Sequence, residues 1–143
     1  MRTVWIIFGT AFMAFLVIHG FRTQLFCILR KNLTEGRYAE FRRRSESILY
    51  RFFLPRYILL GLRLDCGILS QDKEEVLTRT DEIFRSQVSL RQKKESCLKA
   101  FGFFLQAEDR KQSRFFLDQV REYGDDSLHR NMENLYRKTF PEA

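Results

Sequence analysis

Little in this chain breaks it or crosslinks it. Two prolines and seven glycines in 143 residues, with no low-complexity run, leave little room for a linker or a second domain. The cysteines Cys27, Cys66 and Cys97 are odd in number and lack C-x-x-C spacing, so neither a disulfide framework nor a zinc site is indicated. All three lie inside apolar helical stretches, where a free cysteine acts as a small buried hydrophobe. His19 and His129 are the only histidines, and there is no HExxH, no Cys/His ligand spacing and no glycine-rich phosphate loop. The adjacent acids Asp81-Glu82 and Asp125-Asp126 fall on different sides of a helix or in a cap, which is not a general acid–base arrangement. No enzymatic activity, cofactor or metal is therefore expected. Apolar–polar alternation is also missing, which excludes strands and leaves an all-α chain.

What is present starts with Val4–Phe21, VWIIFGTAFMAFLVIHGF, eighteen residues without Asp, Glu, Lys or Arg. As a helix this stretch reaches ~27 Å, enough for the hydrocarbon core of a bilayer. Residues 1–21 are accordingly expected to form a transmembrane anchor and residues 22–143 a helical domain with a C-terminal capping helix. A cleaved signal peptide is the competing reading, but Ile18-His19-Gly20 is a poor cleavage site and the apolar run is long for one. Arg2 alone lies before the span, whereas Arg22, Arg30, Lys31, Arg37 and Arg42 to Arg44 follow it. The positive-inside rule then places the N-terminus outside a cell membrane and the domain in the cytoplasm. In that orientation the sequon Asn32-Leu33-Thr34 faces the wrong compartment and is read as chance.

The formal charge of +7 is unevenly spread. Residues 1–63 hold eleven Lys/Arg against three Glu, a net of +8, and residues 64–143 hold fourteen against fifteen acids, a net of −1. The basic excess thus lies near the span. Arg42-Arg43-Arg44, with Arg37, Arg51 and Arg56, forms its densest part. It reads either as a solvated helix face or as a surface for anionic headgroups. Nucleic acid is not expected as a partner, because the distal half is electrically balanced.

Helical periodicity predicts an unbroken helix from about Tyr38 to Phe53, with Tyr38, Phe41, Ile48, Leu49 and Phe52 inward and Arg37, Arg44 and Arg51 aligned on another face. Pro55 ends it. Tyr57–Leu69 reads as a buried inner helix in which Gly61, Cys66 and Gly67 admit a close neighbour. Further helices are expected over 73–86, with Asp72 as N-cap, and over 91–106. Two more follow: one begun by Glu108-Asp109 and stopped by Gly124, and a last one capped by Asp125, Asp126 or Ser127. Their inward positions are read as Val76, Leu77, Thr80, Ile83 and Phe84, then Cys97, Leu98, Phe101, Phe104 and Leu105, and finally Leu128, Met132, Leu135 and Tyr136. Phe101, Phe103 and Phe104 cannot all face one side of a helix. Phe103 is therefore expected to face a groove, a subunit or solvent, and is the candidate partner-binding residue.

Gly36, Asp72 and Glu108 stand 36 residues apart, and the same shift relates Ile48, Phe84 and Val120. A period of this length with two helices per unit marks an array of helical hairpins. Over about residues 22–123 the chain resembles the tetratricopeptide repeat (TPR) family, best at Gly36-Arg37-Tyr38-Ala39-Glu40. It departs from the family at Phe41 and Leu77, where a small residue is usual, and its tryptophan and proline signatures are missing or displaced. The resemblance implies a right-handed α-solenoid acting as an adaptor, with a protein or peptide partner held between inner helices. The competing function is a small structural or regulatory membrane subunit that recognises its partner through the span, where Thr10 and Ala14 form a small-xxx-small pair.

Overall fold

The computed structural model describes residues 2–141; Met1, Glu142, Ala143 and the side chain of Arg2, which entered the charge count above, lie outside the described residues. Among the described residues there are eight helices and no strand: α1 (Arg2–Thr34), α2 (Tyr38–Glu46), α3 (Ile48–Phe53), α4 (Arg56–Leu69), α5 (Lys73–Arg85), α6 (Leu90–Gln106), α7 (Arg110–Glu122) and α8 (Asp126–Thr139). The chain forms two compact units, 1–62 and 63–143, divided inside α4.

In the first unit, α1 is one continuous helix, ~50 Å long at 1.5 Å per residue. From Thr3 to Gly20 every residue is exposed, and this part is long and apolar enough to cross a membrane. Burial begins at Leu25 and recurs at Leu29 and Leu33, one turn apart, and α1 packs against α2, where Phe41 is also buried. The apolar stretch and the helix that packs on α2 are therefore one element, and Leu25, Leu29 and Leu33 belong to the core. Asn32 is buried as well, so the sequon is closed in the folded chain.

The helix predicted over Tyr38–Phe53 is broken at Ser47, whose backbone is extended (φ −66°, ψ 149°). Ser47 ends α2 by donating its amide to the Arg44 carbonyl (3.0 Å) and opens α3 by accepting from the Arg51 amide (3.1 Å). One non-helical residue resets the phase. Tyr50 and Leu54 turn inward, while Ile48, Leu49 and Phe52, expected in the core, turn outward. Leu54, held extended ahead of Pro55, stops α3.

In the second unit α5, α6, α7 and α8 each pack on the next in sequence. Val76, Ile83, Cys97, Phe101, Phe104, Phe116, Leu117, Val120 and Met132 form its core. Phe104 stacks on Phe116 at 5.7 Å between ring centres, and Phe116 meets Phe84 edge-on at 6.4 Å. Leu98 and Leu135, expected inward, are exposed. Close packing on α4 falls at Gly67, where a Cβ would sit 3.2 Å from Val76; at Gly61 it would meet nothing within 4 Å. The expectation for Gly61 is thus corrected.

One turn is used three times. Gly36, Gln71 and Glu108 are all left-handed, with φ of 71°, 56° and 53°. Each donates its amide three residues back, to Leu33, Ile68 and Leu105. The following residue donates five back: Arg37 to Asn32 (2.8 Å), Asp72 to Gly67 (3.0 Å) and Asp109 to Phe104 (2.9 Å). This is the Schellman pairing, which satisfies the last carbonyls of a helix and reverses the chain. Asp72 and Asp109 then cap the next helix by accepting from Glu75 and Gln112, whereas Arg37 makes no side-chain cap. The equivalent positions lie 35 and 37 residues apart rather than a uniform 36, and Asp72 is the cap after the turn.

Candidate functional site: membrane-facing and partner-facing surfaces

The basic cluster does not form a single surface. Residues 42, 43 and 44 lie 100° apart around α2, so they fan across most of the helix circumference. Arg44 is tied down, donating from Nε to Glu40 Oε1 at 2.9 Å and from Nη2 to the same oxygen. The Tyr50 hydroxyl and the Glu40 carboxylate hold the Arg44 guanidinium above its ordinary pKa, and Arg44 in turn holds Glu40 below its own. Arg37 pairs with Glu35 at 3.1 Å, Arg42 is half-buried, and Arg43 and Arg51 are exposed. The break at Ser47 also takes Arg51 off the face it was expected to share with Arg37 and Arg44.

Where these residues stand along α1 follows from the hairpin. The chain reverses at Gly36–Arg37 and runs back until Phe53 meets Phe21 edge-on, 5.0 Å between ring centres. Phe21 and Phe53 are equidistant from Arg37 in sequence, so residues 42–44 lie opposite about residues 30–32. That is ~14–17 Å beyond Phe21 along the helix axis. Arg51 lies opposite residue 23, one turn or less past the end of the apolar run.

Phe103 is buried (5% exposed), as are Phe101 and Phe104. The expectation that it faces a groove, subunit or solvent is corrected. Helix α6 is sandwiched between α5 and α7, so more than one of its faces is covered, and Phe103 packs edge-on against Phe104 at 5.0 Å. Single-face periodicity undercounts the core of a helix with two neighbours.

A cleft of about 350 Å³ is lined by Arg110, Arg114, Glu133, Tyr136, Arg137 and Phe140. Its charges are largely spoken for within α7 and α8. Arg137 donates to Glu133 at 2.8 Å, and Arg114 pairs with Asp118 at 3.4 Å while lying over the Tyr136 ring. Arg110 reaches the Tyr136 hydroxyl at 3.3 Å. Among the described residues no group of His, Cys, Asp and Glu could hold a metal ion. Cys97 is no nucleophile: burial pushes its thiol up to about 12, and the thiol donates to the Phe116 carbonyl.

Ion pairs join elements about one period apart within 63–143. Lys99 meets Asp65 at 2.9 Å (α6 to α4), Lys94 meets Asp125 at 3.1 Å (α6 to the α8 cap) and Lys73 meets Asp109 at 3.9 Å (α5 to the α7 cap). No motif announced these pairs; the 31- to 36-residue separation of opposite charges is the sequence signal that could have found them. Comparison of the chain with protein-family models, curated proteins and solved structures finds no match.

Proposed function

We propose that the chain is a single-pass protein of the cell membrane, N-terminus outside, whose TPR-like hairpin array works in the cytoplasm as an adaptor for a protein or peptide partner. The observation that carries the reading is the threefold recurrence of one turn at residues 36, 71 and 108. Within 63–143 the reading is further supported by the α4–α6, α6–α8 and α5–α7 ion pairs, whose partners stand 31 to 36 residues apart. Repeats that bury their faces on neighbours leave the remaining faces for partners rather than for chemistry. The membrane half of the reading is supported by the uncovered apolar part of α1 and by the basic excess that follows it.

The test is affinity capture with the full chain in mild detergent, beside a chain whose residues 4–21 are replaced by an unrelated span. An adaptor retains the same partner after the exchange. Loss of the partner on exchanging the span would overturn the adaptor reading in favour of recognition through the membrane helix.

A further inference from the structure

The short helix α3 carries an apolar face that the protein leaves uncovered. Ile48 is 83% exposed and Phe52 80%, with Leu49 beside them, while Tyr50 on the opposite side is buried. At 100° per residue, Ile48, Phe52 and Leu49 fall within a ~100° arc. Its place in the hairpin says what this face meets. Phe53, next to Phe52, packs on Phe21, the last residue of the apolar run. The Phe52 end of the face is therefore held at the level where α1 would leave the hydrocarbon core, and Ile48, opposite residue 26, stands ~7–8 Å further out, at headgroup depth. Arg51 and Arg56, both exposed, lie at the same end of the hairpin, and long basic side chains reach headgroup phosphates while their stems stay in the apolar layer.

We propose that α3 is an interfacial wedge. Phe52 enters the acyl-chain boundary of the leaflet that α1 leaves at Phe21, Leu49 and Ile48 sit in the layer just above it, and Arg51 and Arg56 extend to its phosphates. The inference rests on the reading of α1 as a membrane span. It also moves the lipid-binding surface. The contact belongs to α3 and its flanking arginines, which stand nearer the end of the span than Arg42–Arg44, ~14–17 Å beyond Phe21. Two attachments, a span and a wedge, fix the rotation of the first unit about the α1 axis, which a single helix cannot do.

Trp5 is the only tryptophan, which makes both readings separately measurable. The full chain is reconstituted in vesicles whose lipids carry bromine near the headgroup end of the acyl chain, and tryptophan emission is compared with that in unbrominated vesicles. Wild type reports the span through Trp5. The Trp5→Phe/Phe52→Trp chain reports α3, and Trp5→Phe/Ile48→Trp repeats the test at a second position of the face. Trp5→Phe/Ala39→Trp, exposed on α2 beside the hairpin turn, serves as the control. The proposal expects loss of emission at Trp5, at 52 and at 48, and none at 39. Quenching at Trp5 with none at 52 and 48 overturns the wedge and leaves the span standing. A blue-shifted but unquenched signal at 52 and 48 also overturns it, because the face is then covered by protein. No quenching at Trp5 removes the span, and the wedge with it.

Discussion

Gly61 and Gly67 lie six residues apart in α4, and replacing each by alanine separates helix propensity from packing. Alanine in a helix interior is better than glycine by ~1 kcal/mol. At Gly61 the new methyl meets nothing within 4 Å, so the propensity gain stands alone and Gly61→Ala is expected to stabilise by about 1 kcal/mol. At Gly67 the methyl lies 3.2 Å from both Cγ2 and the backbone nitrogen of Val76 and 3.3 Å from Cγ of Glu75. Favourable carbon contacts begin near ~3.5 Å. Val76 is fully buried and its backbone belongs to the first turn of α5, so a flexible side chain cannot absorb the overlap. Overpacking of this kind costs ~1–3 kcal/mol, which cancels or exceeds the gain; Gly67→Leu has a similar propensity gain but a much larger overlap, and loses outright. The assay is denaturant unfolding of the full chain in micelles, followed by helical circular dichroism, with the slope checked for constancy. Equal stabilisation by Gly61→Ala and Gly67→Ala would refute the close approach of α4 and α5.

Three further outcomes are expected. Phe104→Ala removes a fully buried ring stacked between its own helix and Phe116, and should cost ~3–5 kcal/mol in the same unfolding assay; a change below ~1 kcal/mol would show that α6 and α7 do not pack through this ring. The Asp125 carboxylate is held below its ordinary value of 3.8, first by the Leu128 amide and then by Lys94. A carboxyl lowered in the folded state contributes stability that is complete above the ordinary value and is lost as pH falls through the folded one, so acid should loosen α8 there. Asp125→Asn keeps an acceptor but removes that dependence, and parallel acid loss in both chains would contradict the assignment. Finally, the neutral, buried Cys97 thiol and the buried Cys66 should resist alkylation at neutral pH while exposed Cys27 reacts in micelles; mass spectrometry before and after denaturation reads all three.

Much of this architecture is legible in the sequence because its signals are local. The glycine at 36, the aspartates at 72, 109 and 125, and the proline at 55 each act within a few residues, and each stands at a helix end. What failed depended on phase or on neighbours. Ser47 looks like one polar residue in a helical pattern, yet as a cap between α2 and α3 it rotates three apolar residues out of the core. The serine directly before an apolar run was the available N-cap signal. The Ser89–Gln92 capping box that starts α6 is equally legible from its spacing. Phe103 and Gly61 could not be placed by one helix's periodicity, because burial at each is decided by which helices lie alongside. Gln71 and Glu108 show another limit. They take a left-handed backbone that costs ~1–2 kcal/mol in a non-glycine residue, so composition alone hides the turn they share with Gly36.

The central claim is that α1 carries the chain through a membrane with the helical domain on the inner side, and thiol accessibility tests it most directly. Cys27 is exposed and lies six residues beyond Phe21, whereas Thr3 is exposed at the other end of the apolar run. In intact cells expressing Thr3→Cys, a membrane-impermeant maleimide should label residue 3 from outside and reach Cys27 only after permeabilisation, with the chain retained in the membrane under alkaline extraction. Labelling of Cys27 in intact cells, or release of the chain by alkali, would contradict the account.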